Sequence, residues 1–166
     1  MKVFICYHGA DKKQKDRLIK SLKDNEISYY SAPEDGRFEG EYNETIWQNI
    51  SKELDKCDCL ICLVGRETYK RPHIDHELHY AFHKRKGVVA LFIENRFDSI
   101  NNLDMATVPD RLKDNRKYVV DSQFGTALNS ITTLIDNAMN NSINNHIKIN
   151  NSRHTMPLRQ TRYQNN

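Results

Sequence analysis

Apolar positions along the chain follow two rhythms. In "KVFICYH" (2–8), "DCLICLVG" (58–65) and "GVVALFIE" (87–94) they run almost unbroken, as in strands buried on both faces. "ISYYSA" (27–32) and "KYVVDS" (117–122) read as two shorter strands. Between these runs the spacing lengthens to that of a helix. Leu18, Ile19 and Leu22 mark one helix, with Asp11 as its N-cap, and Ile46, Trp47, Ile50 and Leu54 mark a second. A third covers "RPHIDHELHYAFHKR" (71–85), with Pro72 in its first turn. The fourth is "GTALNSITTLIDNAM" (125–139), with Leu128, Ile131, Leu134 and Ile135 facing inward.

Strands that alternate with helices, and are apolar throughout, predict an α/β fold. The expected form is a flavodoxin-like doubly wound, mostly parallel five-stranded sheet of order 2-1-3-4-5. A ligand crevice then lies outside the carboxyl ends of strands one and three, where strand order reverses. Tyr7, His8 and Gly9 leave the first of these strands, and Gly65, Arg66 and Thr68 the second. "PEDGRFEGEYN" (33–43), a charged loop with Pro33, Gly36 and Gly40, is expected to be mobile and to close over the same edge. The helix from Pro72 follows strand three directly, which puts Glu77 beside the crevice.

Composition narrows the classes. The 166 residues are 38% hydrophobic and 28% charged, with a net charge of +3, in the range of one globular domain. From Asn140 onward the chain carries Lys148, Arg153, Arg159 and Arg162 and no acidic residue, so the rest is near neutral. The basic charge is not clustered on the body, which argues against nucleic-acid binding. No run approaches the length of a membrane span. The opening residues read as a strand and not as a signal peptide. Cys6, Cys57, Cys59 and Cys62 fall in or beside strands, which suits reduced thiols and a cytoplasmic protein. From 139 the Asn-rich composition predicts a flexible tail through 166.

The histidine-rich helix was the first candidate for chemistry. At about 100° per residue, Ile74, Leu78, Ala81 and Phe82 form its apolar face. Glu77 and His73 sit at one margin, and His76, His79 and His83 turn toward solvent. His76-Glu77 is not followed by a histidine at metalloprotease spacing. Cys57 and Cys59 share one strand face and Cys62 the other, so they cannot converge. No metal site is expected. Gly65 stands where a phosphoacceptor would need aspartate, and neither G-x-G-x-x-G nor a P-loop is present. A carboxylate at the margin of a buried face, by contrast, is placed for desolvation and catalytic tuning.

These residues carry a family resemblance. "KVFICYHGADKK" resembles the opening strand and turn of TIR domains, and "CDCLICLVGRETYKRPHIDHELHYA" resembles their third strand and following helix. Ile74-Asp75-His76-Glu77-Leu78, with Ala81, is similar to the segment that holds the family's catalytic glutamate. "VPDRLKDN" (108–115) and "TIWQNI" resemble the branch that makes the signal in bacterial Thoeris anti-phage defence. The resemblance spans about residues 1–125, within a TIR-like domain of 1–138. It implies cleavage of NAD+ as substrate, with no separate cofactor. Glu77 takes the catalytic place and Tyr7, His8 and His73 contact the nucleotide; Arg37 or Arg66 meets its pyrophosphate. His73 replaces the family's usual aromatic residue, and Tyr7-His8 replaces a serine-rich turn.

The implied product is a cyclic ADP-ribose isomer, a second messenger read by a paired effector protein. An ADP-ribose conjugate such as histidine–ADP-ribose is the alternative within the same chemistry. A non-catalytic interaction module is the alternative outside it. The resemblance also implies a phage-derived trigger and self-assembly into a homo-oligomer, with no nucleic-acid or membrane partner.

Overall fold

The computed structural model describes residues 1–32, 43–93 and 107–158. Among them, five strands form one sheet: β1 (Lys2–Cys6), β2 (Ser28–Ser31), β3 (Cys59–Val64), β4 (Gly87–Phe92) and β5 (Val120–Gln123). Their order is β2-β1-β3-β4-β5 and every pairing is parallel. This is the flavodoxin-like arrangement. Helices α1 (Lys12–Asp24), α2 (Glu44–Asp55), α3 (Pro72–His83), α4 (Asp110–Asp114), α5 (Phe124–Ala127) and α6 (Ile131–Ile143) cover its two faces. Among the described residues, no helix is long and apolar enough to cross a membrane.

Alternation along the strands builds two cores. Phe4, Cys6, Leu60, Cys62, Val64, Val88, Ala90 and Phe92 face α2, α3 and α4. Val3, Ile5, Cys59, Ile61, Leu63, Val89 and Leu91 face α1, α5 and α6. Each residue of β3 and β4 is buried, as unbroken apolar runs require. The register sets Cys6 beside Cys62, which aligns the carboxyl ends of β1 and β3 at the reversal point.

Local differences from the sequence pattern have physical causes. Asp11 stands at the start of α1, but its side chain makes no capping bond there. A short 3₁₀ turn, Gly9–Asp11, precedes the helix, closed by the Asp11 amide donating to the His8 carbonyl at 2.8 Å. Tyr118 and Val119 are buried but lie in a turn on the Asn115 carbonyl, so β5 starts later than their apolarity suggests. The last helical pattern splits into α5 and α6. At the break, the Ser21 hydroxyl donates to the Leu128 carbonyl at 2.9 Å.

The polar C-terminal region departs most from its composition. Helix α6 runs to Ile143, and residues 144–158 lie along the body; the remainder of the expected flexible tail, 159–166, lies outside the described residues. The sites that fasten it are polar groups of the body. Arg85 donates to the Ser142, Asn144 and Ile147 carbonyls at 2.9, 2.6 and 3.1 Å. Asn115 and Asn150 exchange two bonds, of 2.7 and 2.8 Å. Ile147, Ile149 and Leu158 pack on the core beneath.

Candidate active site

Elements at the carboxyl ends of β1 and β3 build the strand-reversal edge. Thr68, in the 3₁₀ turn Thr68–Lys70, is buried; its hydroxyl accepts from the Gly65 amide at 2.8 Å and donates to the Leu63 carbonyl at 3.2 Å. That pair of bonds sets the path by which the chain leaves β3. Gly65 approaches the first turn so closely that a Cβ there would stand 2.5 Å from an Asp11 carboxylate oxygen. Arg71 then precedes α3, with Pro72 supplying the fixed φ of its first turn.

Glu77 lies in the second turn of α3 with 4% of its surface exposed, deeper than the helical wheel suggests. Its carboxyl group meets the Cys6 thiol at the end of β1. Oε2 has no hydrogen-bond partner among the described residues. Burial drives the Glu77 pKa up to about 8, against a smaller downward pull from the Cys6 hydrogen bond. Burial also holds the Cys6 thiol protonated, helped by its neighbours Cys62 and Glu77. A desolvated carboxyl in this state can take on charge when a cation arrives, and can stabilise that cation in return.

Tyr7 and His73 are gathered at the same edge. The His73 ring nitrogen Nε2 lies 3.3 Å from the Tyr7 carbonyl and donates to it, tying the first turn of α3 to the exit of β1. The Tyr7 ring is half-buried beneath the Lys15 ammonium, 5.5 Å from the ring centre. Burial raises its phenol pKa, with the nearby Ser31 hydroxyl opposing and the Asp16 charge adding to the rise.

His8 takes a different place. It is 3% exposed, with Nε2 at 3.0 Å from Arg71 Nη2 and 3.4 Å from Glu67 Oε2. A guanidinium can only donate, so His8 Nε2 accepts from it and the ring braces Arg71 at the entry to α3. Arg66 is exposed on the turn after β3. Arg37 and the 33–43 loop, except Asn43, lie outside the described residues; the Asn43 side chain caps α2 through the Ile46 amide at 3.1 Å.

Of the histidines read as solvent-facing, only His83 is exposed. His76 Nε2 donates to the Met156 carbonyl at 2.7 Å, and its ring stands edge-on to Trp47. His79 and His83 stack at 6.4 Å, and burial lowers the His79 pKa. Among the described residues, no group of three or more His, Cys, Asp or Glu side chains is arranged to hold a metal ion.

Sequence reasoning missed a buried polar cluster on the far side of α3. Arg111 Nε donates to Asp75 Oδ1 at 2.7 Å, and both residues are buried. Neither stands out by periodicity, because a buried charge pair mimics a solvated face in a polar sequence. A cleft of about 210 Å³ opens beside this cluster, lined by Tyr69, Ile74, Pro109 and Met156 among others; Glu77 is not in its wall.

No curated protein matches the chain. Residues 4–98 match the family profile of the TIR-like domain of Thoeris protein ThsB. The matched part runs from β1 past β4 and includes the reversal point, the turn at Gly65 and the Glu77 helix. Together with the parallel five-stranded sheet, it establishes that the chain belongs to the TIR-like domain family of the Thoeris protein ThsB.

Proposed function

We propose that the protein cleaves the bond between nicotinamide and ribose in NAD+ and converts the ADP-ribosyl part into a signal nucleotide for anti-phage defence. Glu77 is the catalytic carboxylate in this reading. The observation that carries it is a glutamate buried at the strand-reversal edge, desolvated and with one oxygen unpartnered among the described residues, in a chain of this family.

As the C1′–N bond breaks, its electron pair passes to the pyridinium nitrogen and nicotinamide leaves neutral. Positive charge moves to the ribose, so no strong acid is needed at the leaving group. A carboxylate held in a dry site stabilises that charge. In the free protein Glu77 is mostly protonated at neutral pH. The cationic nicotinamide ring of the substrate, brought beside Glu77, favours loss of that proton, so binding itself generates the active form. A nucleophile within the bound nucleotide then captures C1′ and closes a cyclic ADP-ribose isomer; water would give ADP-ribose, and an external imidazole a conjugate. Exclusion of water decides among these outcomes. In this reading Tyr7 contacts the nucleotide and Arg66 offers a planar donor for pyrophosphate, while His73 fixes the Tyr7 backbone. The product diffuses to an effector protein, and a phage component triggers turnover.

Mass-resolved chromatography of small molecules from expressing cells, with and without phage, tests this reading against Glu77→Gln. An NAD+-derived product that vanishes in the variant is the expected result, and its mass separates a cyclic isomer from a conjugate. If neither condition yields a product while Glu77→Gln still protects cells, the protein acts as an interaction module instead.

A further inference from the structure

Arg111 lies beyond the matched residues, yet it reaches the Glu77 helix. It is 1% exposed and spreads its three guanidinium nitrogens over separate partners. Nε donates to Asp75 Oδ1 at 2.7 Å, Nη1 to the Asn151 side-chain oxygen at 3.0 Å, and Nη2 to the Arg153 carbonyl at 2.8 Å. The other Asp75 oxygen accepts from the Met156 amide at 2.7 Å. The Met156 carbonyl accepts from His76, and the Asn151 side chain donates to the His79 carbonyl at 3.0 Å. Residues 150–156 thus form a strap that grips α3 at Asp75, His76 and His79.

At about 100° per residue, those three positions fall within one side of the helix, and Glu77 lies about 200° from Asp75, on the opposite side. The strap therefore bears on the flank of the helix away from Glu77, which is held against the sheet edge. That burial is costly, because a carboxyl excluded from water resists ionisation. Outward movement of α3 would relieve the cost, and the strap opposes it. A buried ion pair alone adds little net stability over apolar packing, but a planar fork with three fixed partners constrains position strongly.

We propose that Arg111 is a positioning residue, which acts through Asp75 and the 150–156 strap to hold the Glu77 helix in its working place. The role, though not the clamp itself, rests on the reading of Glu77 as the catalytic carboxylate.

The test uses the full chain and needs no turnover. Met156→Pro removes the amide donor to Asp75 together with the Met156 side chain, and Arg111→Lys keeps the charge but loses the fork. Carbon-13 NMR follows the Glu77 carboxyl, assigned by its loss in Glu77→Gln, and hydrogen exchange follows the α3 amides. In both variants the Glu77 titration midpoint should fall by about one pH unit. The α3 amides should exchange about tenfold faster, with β3 and β4 unchanged. A folded Met156→Pro protein with the wild-type Glu77 midpoint and wild-type α3 exchange overturns the proposal, whether or not Arg111→Lys folds. Failure of the NAD+ reading looks different: the midpoint moves as expected, but Glu77→Gln leaves the cellular metabolites unchanged.

Discussion

Asp75 and Glu77 stand two residues apart on one helix, both buried, and only Asp75 meets a cation among the described residues. Arg111 and the Met156 amide satisfy its two oxygens. Glu77, on the opposite side, has a thiol beside it and one oxygen with no partner among the described residues. Two carboxyl groups of one helix are set apart by surroundings alone, one as a fastening and the other as a group poised to react.

Stability should respond to pH through Glu77. Its folded pKa, about 8, lies above the ordinary carboxyl value. As pH rises from about 4.5, the unfolded chain loses this proton first, so the residue increasingly destabilises the fold until pH passes about 8. Glu77→Gln removes that penalty. Chemical denaturation should find the variant more stable than wild type by roughly 5 kcal/mol at pH 9. The difference should close near pH 4.

The same value predicts a pH–rate profile. If the carboxylate is the working form, kcat/KM for NAD+ cleavage rises with pH and levels off above about 8, since that ratio reports the free protein. A profile flat from pH 6 to 9 would remove Glu77 ionisation from the rate law.

Breaking the ion pair from one side should cost far more than replacing it. Arg111→Ala leaves Asp75 buried without its cation and should lose about 3–5 kcal/mol. Arg111→Met with Asp75→Leu should recover most of this. Urea titrations of the two variants measure the difference, and equal losses in both would contradict the argument.

The turn after β3 offers a smaller test. Thr68→Val keeps the shape but leaves the Gly65 amide and Leu63 carbonyl without their hydroxyl, at a cost of about 1–3 kcal/mol. Thr68→Ser should cost less than half as much. Thermal melts of the two variants suffice to compare them.

Sequence and structure agree where burial is apolar and local. The runs around Phe4, Ile61 and Val89 announce the strands, and Ile74, Leu78, Ala81 and Phe82 announce the buried face of α3. Glu77 was legible as a site by topology, but its depth was not, because a helical wheel cannot show how closely the Cys6 end of β1 approaches. His76 and His79 looked solvent-facing because the segment that covers them is distant in sequence. That segment in turn looked flexible: an Asn-rich stretch reveals no affinity of its own, and its partners are hydrogen-bonding groups on Arg85, Arg111 and Asn115.

The bond from the Met156 amide to Asp75 spans 81 positions of the chain. During synthesis Asp75 emerges long before Arg111 and longer still before Met156, so its carboxylate must wait in water for both. Closing so wide a loop is slow, and it is unrewarded until the sheet already stands. The Glu77 helix should therefore be among the last parts to lock. Refolding followed by pulsed hydrogen exchange would see β3 and β4 protected first and the α3 amides last, which places maturation of the candidate site at the end of the folding reaction and not at its core.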